Sequence, residues 1–242
     1  MAEVCVCADY FTVSDSGELC LLPGTMGIRE RLVFATPGNF TFTAADYPWL
    51  SRIDVQVQGG GGGSAGANSD AGESIFRPGA PGGAYARRLI EVGLLGASES
   101  IVVGAGGLGG FGVSNSGGTA GGTSLFGGLV TAASGLGGPP NMASGNSPAT
   151  ARGGPGATGG AGDYVIGGGG AGASIRLNAA DGFSGFGGDS HLGHGGEALN
   201  VTGVGNGPTG YGGGGGGSVA IGDTTVDGAP GGGGIVIIDL YG

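Results

Sequence analysis

The chain has 242 residues, of which 67 are glycine, and its 18 acidic residues against 8 arginines and no lysine give a net charge of −10. Collagen is excluded because glycine keeps no sustained Gly-X-Y period and proline numbers only 11, and a charged disordered tail is excluded by a charged fraction of 11%. Scattered arginines in an acidic chain argue against nucleic-acid binding and against docking on an anionic membrane, and no apolar run is long enough for a membrane-spanning helix.

Read from the start, residues 1–5 hold neither a basic region nor a long apolar core, so an export signal is not expected. In that setting Cys5, Cys7 and Cys20 are read as reduced, partly buried thiols rather than as a disulfide or a metal site. Residues 3–13 are rich in β-branched and aromatic side chains and predict a strand. The cluster Ser14-Asp15-Ser16-Gly17 predicts a turn, residues 19–22 a returning strand, and Pro23-Gly24 its end. Arg31-Leu32-Val33-Phe34 predicts another strand, and Phe40 and Phe42 share one face of the next. Residues 46–50 include the sole tryptophan, Trp49, and read as a rigid corner, with a binding platform as the alternative. The clearest alternation follows in residues 52–58: Ile53, Val55 and Val57 are expected inside, and Arg52, Asp54, Gln56 and Gln58 outside.

From Gly59 the character changes. Only four glycines precede that position and one, Gly242, ends the chain; all the others lie between 59 and 234. Apolar islands at 85–92, 100–103, 124–126, 129–132, 163–166 and 174–177 alternate with the glycine runs, and residues 235–240 form a doubly apolar strand suited to a sheet interior. A flexible linker has no reason to carry such islands. Ordering each glycine costs about 0.5–1 kcal/mol more than ordering alanine, so an ordered region needs packing that only glycine permits. Polyproline-II chains without Cβ atoms meet that need, because they lie side by side and hydrogen-bond laterally. Residues 104–110 and 212–217 are the expected inner helices of such a bundle; irregular glycine loops are the alternative. The fold class expected is all-β, a β-sandwich-like domain with glycine-rich insertions packed as polyglycine-II helices and almost no α-helix. A segment 1–30 for attachment and oligomerisation precedes a domain 31–242.

Motifs of known chemistry carry little. Gly104-x-Gly106-x-x-Gly109 matches a dinucleotide fingerprint, but glycine at this abundance produces such matches by chance. A phosphate-binding loop lacks its lysine, the G-G-x-G-x-D calcium repeat is not sustained, and His191 and His194 have no third ligand nearby in sequence. No catalytic residue, metal or cofactor is expected. The candidate surface-binding residues are Tyr211, Phe183, Phe186, Asn141, Asn146 and Asn206, whose rings and amides suit sugar recognition; the alternative is that the rings plug gaps between glycine helices.

Val33-Phe34-x-Thr36-Pro37-Gly38-x-Phe40-Thr41-Phe42, then Ile53-x-Val55-x-Val57 and the glycines from 59, resemble the glycine-rich domain of bacteriophage tail proteins. The resemblance continues through Pro81-Gly82-Gly83-Ala84-Tyr85, Ile101-Val102-Val103-Gly104, Gly122-Thr123-Ser124-x-Phe126-Gly127 and the glycines before Ile235. It is nearest to minor tail proteins and tail fibres of phages of high-GC Gram-positive bacteria. The resemblance implies a non-enzymatic virion protein that contributes to recognition of the host surface. It also implies a homotrimer, contact with other tail proteins through the N-terminal segment, and assembly in the host cytoplasm. The charge of −10, without lysine and with scattered arginines, makes a neutral or weakly charged host glycan the expected ligand rather than a polyanion. A passive tail or decoration protein and a glycan depolymerase are the rival readings.

Overall fold

A computed structural model describes residues 11–21 and 27–242. An antiparallel hairpin pairs Phe11–Val13 with Leu19–Leu21 through the predicted turn. The expectations for Cys5, Cys7 and the start of the first strand lie outside the described residues. Cys20 is exposed rather than partly buried, because it sits on an open hairpin.

Two five-stranded antiparallel sheets form the sandwich. Sheet I runs in the order Tyr164–Ile166, Tyr85–Glu91, Arg52–Gln58, Ile235–Tyr241, Ile28–Phe34; sheet II runs Gly160–Ala161, Val130–Ala132, Ser124–Phe126, Glu99–Val103, Gly38–Phe42. Period-2 alternation sends Ile53, Val55, Val57, Val236, Ile238 and Leu240 inward from sheet I, where they meet Phe42, Ile101, Val103, Phe126 and Val130 of sheet II. The first strand of sheet I begins at Ile28, so the boundary expected at residue 30 falls inside a strand. Trp49 makes the predicted corner, packed on the sandwich core with the Arg29 guanidinium 4.3 Å above its ring. Two residues expected outside are buried. Asp54 lies on the outer face but is roofed by Arg87, and Gln58 is covered where the sheet meets the glycine region, its Nε2 donating to the carbonyls of Gly83 and Ala84.

Beyond the sandwich the backbone is ordered by lateral bonds of period three. In segment 59–66, Gly60, Gly63 and Gly66 donate N–H bonds to Gly122, Thr119 and Ser116. Gly61 and Ser64 donate to Gly232 and Ala229, while Gly59 and Gly62 donate to Ala84 and Pro81. Its carbonyls accept from Gly135 and Gly138, from Gly107 and Gly110, and from Gly215. Successive residues thus point at different neighbours and every third residue returns to the same one, which is the threefold screw of a polyproline-II chain. Six segments surround this one: 104–112, 116–122, 133–138, 77–84, 212–217 and 228–234.

Segments 77–84 and 212–217 bond to 59–66 and to each other, giving a triangle of inner segments whose residues are all buried. Around the triangle lie the outer segments 104–112, 116–122, 133–138, 153–157, 168–172, 185–189, 194–197, 205–208 and 228–234. Three touching rods in hexagonal packing have nine neighbours, and the chain supplies them. A Cβ built at Gly215 would stand 2.7 Å from the Ala229 carbonyl oxygen, so this inner glycine position admits no side chain. Residues 212–217 are inner, as expected. Residues 104–110 are outer: Gly104, Gly107 and Gly110 face the lattice, while Ala105 and Leu108 face solvent at the same period.

Candidate functional site

The inner segments connect the sandwich to a second apolar cluster. Segment 59–66 leaves the strand Arg52–Gln58 and ends in Ala67–Ser69; segment 77–84 returns from Ser74–Phe76 to Tyr85–Glu91. At about 3.1 Å per residue, these eight-residue segments separate the two ends by roughly 25 Å. At the far end Val219–Ile221 pairs with Ser74–Phe76, Thr224–Val226 pairs with Ala67–Ser69, and Ala149–Ala151, Ser174–Arg176 and Gly182–Phe183 make a three-stranded sheet. Ala67, Ile75, Phe76, Met142, Ala151, Val219 and Ala220 fill the core of this tip.

Two arginines brace it. Arg77 is buried and donates from Nε to the Gly66 carbonyl at 2.7 Å, from Nη1 to the Met142 carbonyl at 2.5 Å and from Nη2 to Asn115 Oδ1 at 2.6 Å. With no carboxylate among these partners, burial pushes its guanidinium down to about 10. Arg176 donates from Nε to the Ser147 carbonyl at 2.8 Å and from Nη1 to the carbonyls of Ser74 and Ala143 at 2.7 and 2.8 Å. Together they fasten three carbonyls of loop 141–148 to the tip core. Asn115 takes a left-handed conformation, φ 50°, and its amide pairs with the backbone N–H and carbonyl of Asn68, fixing the turn after Phe111.

Four of the six residues singled out from the sequence come together at this tip. Asn141 and Asn146 are exposed on the braced loop, and Phe183 and Phe186 project into solvent at 54% and 62% exposure on the adjoining strand and outer segment. These two rings therefore do not plug gaps between glycine segments. Phe183 stands beside Ile175 and Ile175 beside Thr150 in one cross-strand row, so the outer face of the three-stranded sheet is apolar at its centre. Phe111 and Val113 are exposed on the neighbouring turn.

The other two residues lie elsewhere. Asn206 sits in outer segment 205–208, where its carbonyl accepts from Gly216 and its side chain borders a shallow recess of about 390 Å³ with His194, Glu197 and Thr209. Tyr211 is half-buried at the sandwich end of the lattice, its N–H donating to the Leu192 carbonyl at 3.1 Å and its carbonyl accepting from the Ser190 hydroxyl. His191 and His194 share that end: the His191 ring centroid is 4.3 Å from that of Tyr85, and His194 Nδ1 is 3.7 Å from Asp189 Oδ1.

A family model described as a glycine-rich domain matches residues 35–241, which covers the sandwich from the end of its first strand, the lattice and the tip. The chain belongs to this glycine-rich domain family. No curated protein matches the chain. For this glycine-rich domain the bracing residues Arg77, Arg176 and Asn115 escaped sequence reasoning. The sequence around Arg77 gives no signal for its burial: an arginine without an acid beside it is ordinarily exposed, and only the folded backbone supplies the carbonyls that satisfy it.

Proposed function

We propose that this protein is a non-enzymatic tail component of a bacteriophage, a minor tail or tail-fibre subunit that contributes to host-surface recognition through its tip. The observation that carries the reading is the braced tip itself. A rigid backbone lattice holds two exposed phenylalanines and two exposed asparagines at the end away from the sandwich, and spends buried arginines on fixing the loop between them. Exposed rings beside amides suit the apolar faces and hydroxyls of a sugar, and a preorganised loop loses little entropy on binding. Arg77 and Arg176 act there as braces rather than as acids or bases, which supports binding without catalysis. The hairpin at the N-terminal side exposes Val13 and Leu19, in keeping with attachment to other tail proteins and to sister subunits of a trimer in the virion.

The test is the binding of labelled protein to cells of high-GC Gram-positive bacteria. Phe183→Ala combined with Phe186→Ala is expected to weaken binding by about tenfold or more, as loss of aromatic anchors does, at an unchanged melting temperature. Undiminished binding by that variant would remove the tip from the reading. Failure of the native protein to bind any such cell would favour a passive tail component.

A further inference from the structure

The outer face of sheet I, at the other end of the molecule, carries a site that the tip does not use. Arg31, Asp239, Asp54 and Leu89 form one cross-strand row, so two carboxylates stand side by side on neighbouring strands. Both are buried, and each is gripped by a half-exposed arginine. Arg31 donates to Asp239 from Nε and Nη2 at 2.5 and 2.8 Å, and Arg87 donates to Asp54 from Nε and Nη2. The hydrogen bonds and charge of these carboxylates hold both guanidinium groups above the usual arginine range. With Arg52 on the same face, three arginines thus gather there, which corrects the expectation that they are scattered: cross-strand register brings onto one face residues far apart in the chain.

Beside the row opens a cavity of about 500 Å³ lined by Arg52, Asp54, Arg87, Leu89, Tyr164 and Tyr241. Arg88 and Asp163, 3.5 Å apart, close its rim as an ion pair. Arg87 and Arg88 are therefore matched by carboxylates. Arg52 is not: among the described residues it makes no salt bridge, and its Nε is shut off from solvent without a hydrogen-bond partner. Its guanidinium lies 5.1 Å from the centroid of the Tyr241 ring, a stacking that holds the planar fork in place. Among its lining residues the cavity then has one cation in excess. Glu91, opposite Arg52 across the strands, is exposed and makes no ion pair with it. Exposed Leu89 and Tyr164 form a wall beside the cavity.

We propose that this cavity binds a ligand carrying one carboxylate next to a ring or apolar group, with the carboxylate on Arg52 and the ring against Tyr164 and Leu89. A neutral ligand offers Arg52 hydroxyl or carbonyl acceptors but leaves its charge unmatched and forgoes the stronger charge-assisted pair. A polyanion brings further charges against Asp54 and Asp163 and against the acidic chain as a whole. A uronic-acid sugar and the terminal carboxylate of an aromatic amino acid share the required chemistry, and the probes separate them.

The experiment is calorimetric titration of the full chain with glucuronate, glucose, N-acetylphenylalanine and N-acetylphenylalanine amide. At least one acid is expected to bind saturably while its neutral counterpart does not. Arg52→Gln is expected to weaken that binding by about tenfold or more, the scale of one charge-assisted bidentate pair, whereas Arg152→Gln leaves it unchanged. Glucuronate alone assigns the cavity to a sugar, N-acetylphenylalanine alone to a peptide end, and both to the shared carboxylate chemistry. Should Arg52→Gln fail to fold, Tyr164→Ala, whose ring is 58% exposed, provides the second variant with the same expected loss. Equal binding of acid and neutral probe, no saturable binding of either acid, or unchanged affinity in a folded variant overturns the proposal. None of these outcomes bears on the tip.

Discussion

In the sandwich, Ile53, Val55 and Val57 are buried because their side chains meet those of the facing sheet; in the lattice, Gly61, Gly62 and Gly63 are equally buried because no side chain stands between one backbone and the next. Both regions satisfy the peptide groups that burial removes from water. The strand ladder does so in two directions and leaves the faces of the sheet to apolar packing. The threefold segments do so in every lateral direction, so little room is left between them for side chains, and those buried there include the small Ser64, Ala65, Ala80 and Ala84. The sandwich is held by what its residues carry, and the lattice by what its residues lack. Their responses to mutation should accordingly be opposite in kind.

The largest expected effect tests that opposition. Gly215 donates to the Gly62 carbonyl at 3.0 Å and its own carbonyl accepts from Ala80 at 2.8 Å, so Gly215→Val must displace a backbone that both bonds depend on. Overpacking plus two compromised hydrogen bonds predicts a loss of about 4 kcal/mol. Gly207→Ala, on an outer segment with no heavy atom within 4 Å of the added Cβ, should change stability by less than about 0.5 kcal/mol. In the sandwich the damaging direction is the reverse: Ile53→Ala should cost about 2–5 kcal/mol through the cavity it leaves. Chemical denaturation of the three variants checks the pattern, and a mild Gly215→Val would mean that the inner segments are not close-packed.

Next in size is the brace between lattice and tip. Arg77→Met should lower stability by about 3 kcal/mol, because it leaves the buried carbonyls of Gly66 and Met142 without their donor and removes one of the two donors to Asn115 Oδ1. Hydrogen exchange should locate the loosening in loop 141–148 and in the turn after Phe111, with the sandwich strands still protected.

The smallest effect is a pH dependence. Burial raises the phenol pKa of Tyr47 at the sandwich corner, and that of Tyr85 as well. A folded value above the unfolded one means that the folded protein holds the proton more tightly, so this contribution is present below about pH 10 and is lost as the pH rises past it. Arg77 acts in the opposite sense. Its folded value is lowered to about 10, so the penalty for burying its charge is relieved as the pH climbs above that. Stability measured from pH 9 upward should therefore fall less steeply in Tyr47→Phe than in the native protein, and more steeply in Arg77→Met.

Much of the secondary structure was legible in the sequence. Residues 52–58 alternate so regularly that their inner face follows from period two alone, and the apolar islands after residue 85 correspond to strands at Tyr85–Glu91, Glu99–Val103, Ser124–Phe126, Val130–Ala132, Tyr164–Ile166 and Ser174–Arg176. The abundance of glycine, with apolar islands between the runs, pointed to backbone-to-backbone packing as the arrangement that offsets its entropy, with irregular loops as the alternative. Which run lies inside was not legible. Residues 104–110 and 59–66 are both glycine-rich, and only the second is ringed by six neighbours; the difference is one of position in a lattice, which long-range pairing assigns and local composition does not. The same holds for the sites. Phe183, Phe186, Asn141 and Asn146 were chosen by residue type, but it is Arg176 and Arg77 that draw the loop of Asn141 and Asn146 to the tip, while Tyr211 is left at the opposite end. Arg31, Arg52 and Arg87 came onto one face only through the cross-strand register of sheet I. Side-chain chemistry and local period are properties of the chain itself; proximity between residues distant in sequence is a property of the pairing, and the folded backbone alone decides it.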